Sequence, residues 1–274
     1  MPAPSNQAYT FNHKVEGDGS VAFACSTDAD AWPWLELPPQ HPIPLQTQNY
    51  WTSVGASAAL GTREEGTWIA LTWTDWELGD RAAGMAARGT FSRTLVDDRL
   101  AFETRLFDAS DRLIVTMRGR GVVFRNRNFE AWRAEAKGEV SHNEPAGFAY
   151  APRELLGLSE RELPLVSSLN GHCATALVTK ANGLMPGHPY FSGSGDHVNA
   201  PHLAEIARQV VSLLRDGAPF LVTGGEMDMR RYIELDCAFD IAITGQDAAT
   251  ATMQVSQMDK PCAQLTLRWE PLSA

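Results

Sequence analysis

The same order of elements runs twice along this chain, and that repetition restricts its architecture more than any single motif does. In the first half, residues 8–28 alternate apolar and polar side chains around a Gly-rich turn. A His-Pro loop at His41-Pro42 then leads into a short helix rich in small residues, expected near 48–61. Strand-like runs follow: TWIALTWTDWEL, AAGMAARGTFSRTLV, RLAFETRLFDA and LIVTMRGRGVVF, with polar turns LGD, VDD and DASD between them. The second half opens with SLNGHCATALVTKANG and passes through a His-Pro loop at His188-Pro189 into a helix near 200–215. It ends in PFLVTGGEMDM, YIELDCAFDIAITG, ATATMQVSQMD and AQLTLRWEPL. His41-Pro42 falls where His188-Pro189 falls. A repeat of about 140 residues is too long for a solenoid unit, so the chain reads as a duplicated domain divided into 1–140 and 141–274. The joining stretch, 126–150, is polar and has room for a short helix.

One helix followed by a run of antiparallel strands has a natural packing solution: the sheet curls around the helix and buries it. That arrangement is the hotdog fold. Two in one chain make a double hotdog, an α+β protein with two antiparallel sheets, each wrapped around a central helix.

Composition narrows the partners. Lys and Arg number 23 and Asp and Glu 33, a net charge of −10, with no long basic run. Such a chain is not expected to bind nucleic acid or an anionic membrane surface. No apolar run approaches the ~18 residues of a transmembrane helix. The opening MPAPSNQAYTF lacks the basic and apolar segments of a secretory signal, so a cytoplasmic protein is expected. Cys25, Cys173, Cys237 and Cys262 form no CxxC pair and sit in strand-like apolar runs, which reads as reduced core thiols. Trp51, Trp68, Trp73 and Trp76 read as core or subunit interface before they read as a ligand platform.

Chemistry concentrates in His188–Gly217, HPYFSGSGDHVNAPHLAEIARQVVSLLRDG. Asn199 is a plausible N-cap, Pro201 suits a first turn and Gly217 is a stop signal. Leu203, Ile206, Ala207, Val210, Val211 and Leu214 follow the helical period in a stripe wide enough for the helix to be covered on most sides. Glu205, Arg208 and Gln209 lie within it. Glu205 and Arg208, at i and i+3, form either a surface ion pair or a functional pair, and charge on a nearly buried helix favours the second. Asp196, His197, Asn199 and His202 crowd the helix N-terminus, where backbone N–H groups favour a developing oxyanion. Each also has a structural reading, as a cap or a satisfied histidine. His188, extended by Pro189, can project into a pocket. Ser192, Gly193, Ser194 and Gly195 make a flexible approach without the ending of a phosphate loop. No His pair has metal-ligand spacing, so no metal is expected.

The segment resembles the A-factor biosynthesis hotdog family, the gamma-butyrolactone synthases. The matching residues are His188-Pro189-Tyr190-Phe191, Asp196-His197-Val198, and Glu205, Arg208 and Gln209 after a six-residue gap. A weaker likeness is to the MaoC-like hydratases, through Ser194, Gly195 and Asp196, with Asn199 and His202 each one residue late. The resemblance implies an enzyme acting on an acyl thioester of a carrier protein or CoA, in a polyketide, fatty-acid-like or butyrolactone pathway. Acyl transfer or 3-hydroxyacyl dehydration is the implied chemistry, with thioester hydrolysis or a non-catalytic acyl-binding scaffold as alternatives. It implies no cofactor beyond the pantetheine arm or CoA of the substrate, and a monomeric pseudo-dimer or a homodimer. His197, Asp196, Glu205, Arg208 and His188 are the expected catalytic residues. Gly195, Asn199, His202, Gln209 and Tyr190 are expected to bind substrate. The first half departs from the pattern, because its helix has no Glu-x-x-Arg, and its site is expected to be degenerate.

Overall fold

A computed structural model describes residues 8–62, 68–124, 129–140, 147–192 and 195–272. Gly193 and Ser194 of the loop, and part of the joining stretch, lie outside the described residues. The chain divides into two compact units, Met1–Val123 and Phe124–Ala274. The division drawn from sequence, at 140, differs because the joining helix makes its ion pairs with the second unit.

The first unit opens with the hairpin β1 (Thr10–Val15) and β2 (Val21–Cys25), then helix α1 (Pro42–Ala59). Four strands follow: β3 (Trp68–Leu78), β4 (Ala86–Val96), β5 (Arg99–Asp108) and β6 (Leu113–Phe124). Their order in the sheet is β1-β2-β4-β5-β6-β3. The anticipated VDD turn is a two-residue hairpin whose central Asp97 and Asp98 have φ of 50° and 57°, a twist that matches the flanking strands.

The second unit holds helix α2 (Phe129–Val140), β7 (Cys173–Ala176), the short α3 (Lys180–Gly183) and α4 (Ala200–Leu214). Strands β8 (Phe220–Met229), β9 (Phe239–Gln246), β10 (Thr250–Gln257) and β11 (Lys260–Pro271) complete it. Its strand order is β8-β11-β10-β9-β7. Read from the β7 edge, this is the β2-β4-β5-β6-β3 topology of the first unit, strand for strand. Each unit is therefore a hotdog, and the chain is a double hotdog.

Burial explains why each sheet closes on its helix. Strand β10 alternates, with Ala251, Met253 and Val255 inaccessible to solvent. Every residue of α4 from Pro201 to Leu213 is buried, against β8 and β11 among others. Each aliphatic side chain enclosed in this way contributes about 1.5–3 kcal/mol. Gly217, at φ 76°, ends α4, and its N–H returns to Ser212 O at 2.9 Å.

Three sequence expectations need correction. Helix α1 starts at Pro42 and not near 48, because Pro42 and Pro44 occupy first-turn positions whose N–H groups have no intrahelical partner anyway. His41 is thus a helix cap, whereas His188 lies well upstream of the α4 cap, so the two His-Pro pairs are not equivalent. Cys173 is exposed, although Cys25, Cys237 and Cys262 are buried as expected; all four are free thiols. Burial pushes the Cys25 thiol up to about 12. Trp76 is core, while Trp73 carries the Arg120 guanidinium 4.4 Å over its ring. Among the described residues no helix is long and apolar enough to cross a membrane.

Candidate active site

Glu205, Arg208 and Gln209 share one face of α4, and all three are buried. Arg208 grips Glu205 with two bonds, Nε to Oε2 at 2.8 Å and Nη2 to Oε1 at 2.6 Å. Gln209 Nε2 adds a third donor to Oε1 at 2.9 Å. This is the bonding pattern of a carboxylate, which accepts and does not donate. The cluster also fastens the chain that covers it. Arg208 Nη1 donates to Gly157 O at 3.1 Å, and its Nη2 lies 3.5 Å from Glu162 Oε1. Gln209 receives the Leu165 N–H at 2.8 Å and donates to Leu163 O at 3.2 Å. Burial works against the Arg208 charge, but Glu205 and then Glu162 outweigh it and hold the guanidinium above its ordinary pKa. Glu162 is a member of the cluster that no motif announces. Its Oε2 takes the Ser159 N–H at 2.7 Å, far in sequence from α4.

The N-terminus of α4 is spent on its own cap. Asn199 Oδ1 accepts the His202 N–H at 3.4 Å, and His202 Nδ1 accepts the Asn199 N–H at 3.1 Å. The ring's other nitrogen, Nε2, then carries hydrogen and donates to Gly183 O at 2.6 Å. His202 is completely enclosed, and burial lowers its pKa to about 4. Pro201 has no N–H, and Leu203 N–H bonds Asn199 O at 3.0 Å. The N–H groups of Asn199, His202 and Leu203 are therefore taken and Pro201 has none, and Asn199 and His202 hold the helix start.

Asp196 and His197 belong to a different constellation, pinned by α2. Arg133 Nε donates to Asp196 Oδ2 at 3.0 Å, and Lys137 bonds the other carboxylate oxygen. The Arg133 guanidinium also grips Glu234, with Nη2 to Oε2 at 2.8 Å, and lies 4.3 Å over the Tyr232 ring. His197 packs edge-on to Tyr232 at 4.5 Å, and its Nδ1 is 3.5 Å from Asp196 Oδ2. His197, then Lys137 and Arg133, hold the Asp196 carboxyl well below the usual carboxylate range. Gly195 enters this turn at φ 65°, a conformation that favours glycine.

His188 is buried, and its Nδ1 accepts the Tyr190 N–H at 3.2 Å, so Nε2 carries the hydrogen. Its ring lies 4.3 Å from Phe191, which in turn lies 4.2 Å from His202. This file of rings ends one helical turn before Glu205. Tyr190 is buried with Arg161 over its ring at 5.4 Å. The ten residues singled out from sequence thus fall into a carboxylate cluster, a helix cap, an aromatic file and an ion-paired loop. Sequence reasoning missed Glu162, Arg133, Lys137, Tyr232 and Glu234, since nothing local marks a partner 63 or 101 residues away.

No protein-family model and no curated protein matches the chain. Solved structures do. An acyl-ACP thioesterase from Bacteroides thetaiotaomicron is 12% identical, with 83% of this chain and 89% of that one covered and a TM-score of 0.54. A 12:0-ACP thioesterase from Umbellularia californica is 11% identical, with 85% and 90% covered and a TM-score of 0.52. At these identities the likeness establishes the hotdog fold.

Proposed function

We propose that this chain processes acyl groups carried as thioesters, and that its second unit cleaves the thioester with Glu205 as the base. The bonding of Glu205 carries the reading. A buried carboxylate that receives three N–H donors is held ionised, so it has no proton to give and is a poor acid for expelling a 3-hydroxyl group, whereas a proton from a nucleophile has a place to go. Dehydration is therefore the less suitable chemistry, although the sequence resemblance admits it. In hydrolysis, water attacks the carbonyl carbon and gives its proton to Glu205. The C–S bond then breaks, and the proton passes to the thiolate, leaving acid and thiol. Arg208 and Gln209 position the carboxylate. His188, with hydrogen on Nε2, is the donor assigned to the thioester oxygen. Asp196, locked to Arg133 and Lys137, orients His197. The similarity in fold to two acyl-ACP thioesterases supports a carrier-bound substrate.

A second acceptor is favoured by the resemblance to gamma-butyrolactone synthases: a hydroxyl compound in place of water attacks the carbonyl carbon, gives its proton to the same base and displaces the thiol. Mass analysis of a panel of acyl-CoA and acyl-carrier thioesters, with and without dihydroxyacetone-type alcohols, separates these outcomes. Free acid and thiol are expected from hydrolysis and an acylated alcohol from transfer. A substrate 18 Da lighter would replace the reading with dehydration.

A further inference from the structure

We infer that α1 of the first unit carries a binding site for a neutral, amide-bearing ligand of the pantetheine type, with the Gln46 carboxamide as its recognition group. Gln46 is 1% exposed, yet among the described residues no protein group matches its Nε2 or its Oε1. Thr47 Oγ1, Gln48 Oε1 and Asn49 Oδ1 are equally enclosed and equally unmatched. Buried polar groups ordinarily find partners, and consecutive helical residues point in different directions, so it is Gln46, with both carboxamide atoms open, that marks a place for something polar.

The position is not arbitrary. Counting from Pro42 in α1 and from Pro201 in α4, Gln46 stands four residues on, as Glu205 does, with Pro42 the first residue of its helix and Pro201 the second. Asn49 stands seven after Pro42, as Arg208 stands seven after Pro201. The second unit fills this i, i+3 pair with charges that satisfy each other. The first unit fills it with carboxamides, of which Asn49 is anchored by donating Nδ2 to Thr74 Oγ1 on β3 at 3.2 Å. Gln46 is left facing an unfilled requirement for both an acceptor and a donor.

That requirement selects the ligand class. Helix α1 contains no Asp, Glu, Lys or Arg, so an ionised group buried beside it would have no countercharge on the helix. A hydrocarbon would leave the carboxamides unmatched. A secondary amide offers one N–H and one C=O, the complement of a primary carboxamide. The pantetheine arm bears two such amides. Its choice among amide-bearing molecules rests on the proposed thioester reading; the demand for a neutral amide does not.

The test is calorimetric titration of the full chain with unacylated pantetheine, which needs no turnover. Wild type is expected to bind, and N-acetylcysteamine, with one amide, more weakly. Gln46→Leu and Gln46→Met are each expected to bind pantetheine about ten-fold or more weakly. Their thermal midpoints should be equal to or above wild type, because an unmatched buried group has been removed. Wild type that ignores both probes at millimolar concentration would overturn the inference. So would variants that bind like wild type, or the failure of both variants to fold, which would make Gln46 a structural residue. Pantetheine binding without thioester cleavage would remove the proposed reaction and leave this site standing.

Discussion

Arg208 and Glu205 are both almost fully enclosed, so neither is a surface charge that can be deleted without consequence. Arg208→Ala strands a buried carboxylate and unties Gly157, and is expected to cost about 3–5 kcal/mol. In a chain of this size that lowers the thermal midpoint by roughly 5–9 °C, measurable by calorimetry. A midpoint within a degree or two of wild type would show that the pair is not buried. His202 sets a second expectation, through pH. Its folded pKa is about 4, against about 6.5 when unfolded. Between those values the unfolded chain binds the extra proton, so stability rises with pH across this window. The contribution of His202 is complete above about 6.5 and is lost as pH falls toward 4. Asp196, whose pKa is depressed, acts only below the ordinary carboxylate range. Urea denaturation from pH 7 to 4 should therefore show a slope that flattens in His202→Ala, and an unchanged slope would refute the capping tautomer.

At the scale of elements, the helices show what local sequence makes legible. Asn199, Pro201 and Gly217 mark the bounds of α4 because caps and stops are short-range chemistry. The start of α1 was misread because Pro42, Pro44 and the polar Gln46–Asn49 look like loop when their burial is unknown. Strands β3 to β6 and β8 to β11 were legible through alternation. The seat of α2 was not, since it depends on Arg133 finding Asp196 and Glu234 across long stretches of chain. Helix α2 exposes most of its surface; it buries Phe129, which packs against Phe124 and Tyr232, and Arg133, which makes its ion pairs. Arg133→Met should speed amide exchange in α2 about ten-fold or more while leaving α4 protected, as followed by exchange mass spectrometry. Equal protection in α2 would show that the ion pairs are incidental.

Over the whole molecule, duplication was legible and the division of labour was only half so. The two units share the topology β2-β4-β5-β6-β3 and β7-β9-β10-β11-β8, while their helices have diverged: α4 carries a charged, mutually bonded pair, and α1 carries the carboxamides of Asn49, bonded to Thr74, and Gln46, unmatched among the described residues. The missing Glu-x-x-Arg of the first half was plain in sequence. That carboxamides stand in its place, both buried and Gln46 unmatched, required burial and bonding to see. Glu205 is the proposed base of a thioester-cleaving site in the second unit. Its most direct test is release of free thiol from an acyl thioester by Glu205→Gln, with folding checked by circular dichroism. A folded variant is expected, with turnover about 100-fold or more lower at saturating substrate. A folded Glu205→Gln enzyme that releases thiol at near the wild-type rate would contradict it.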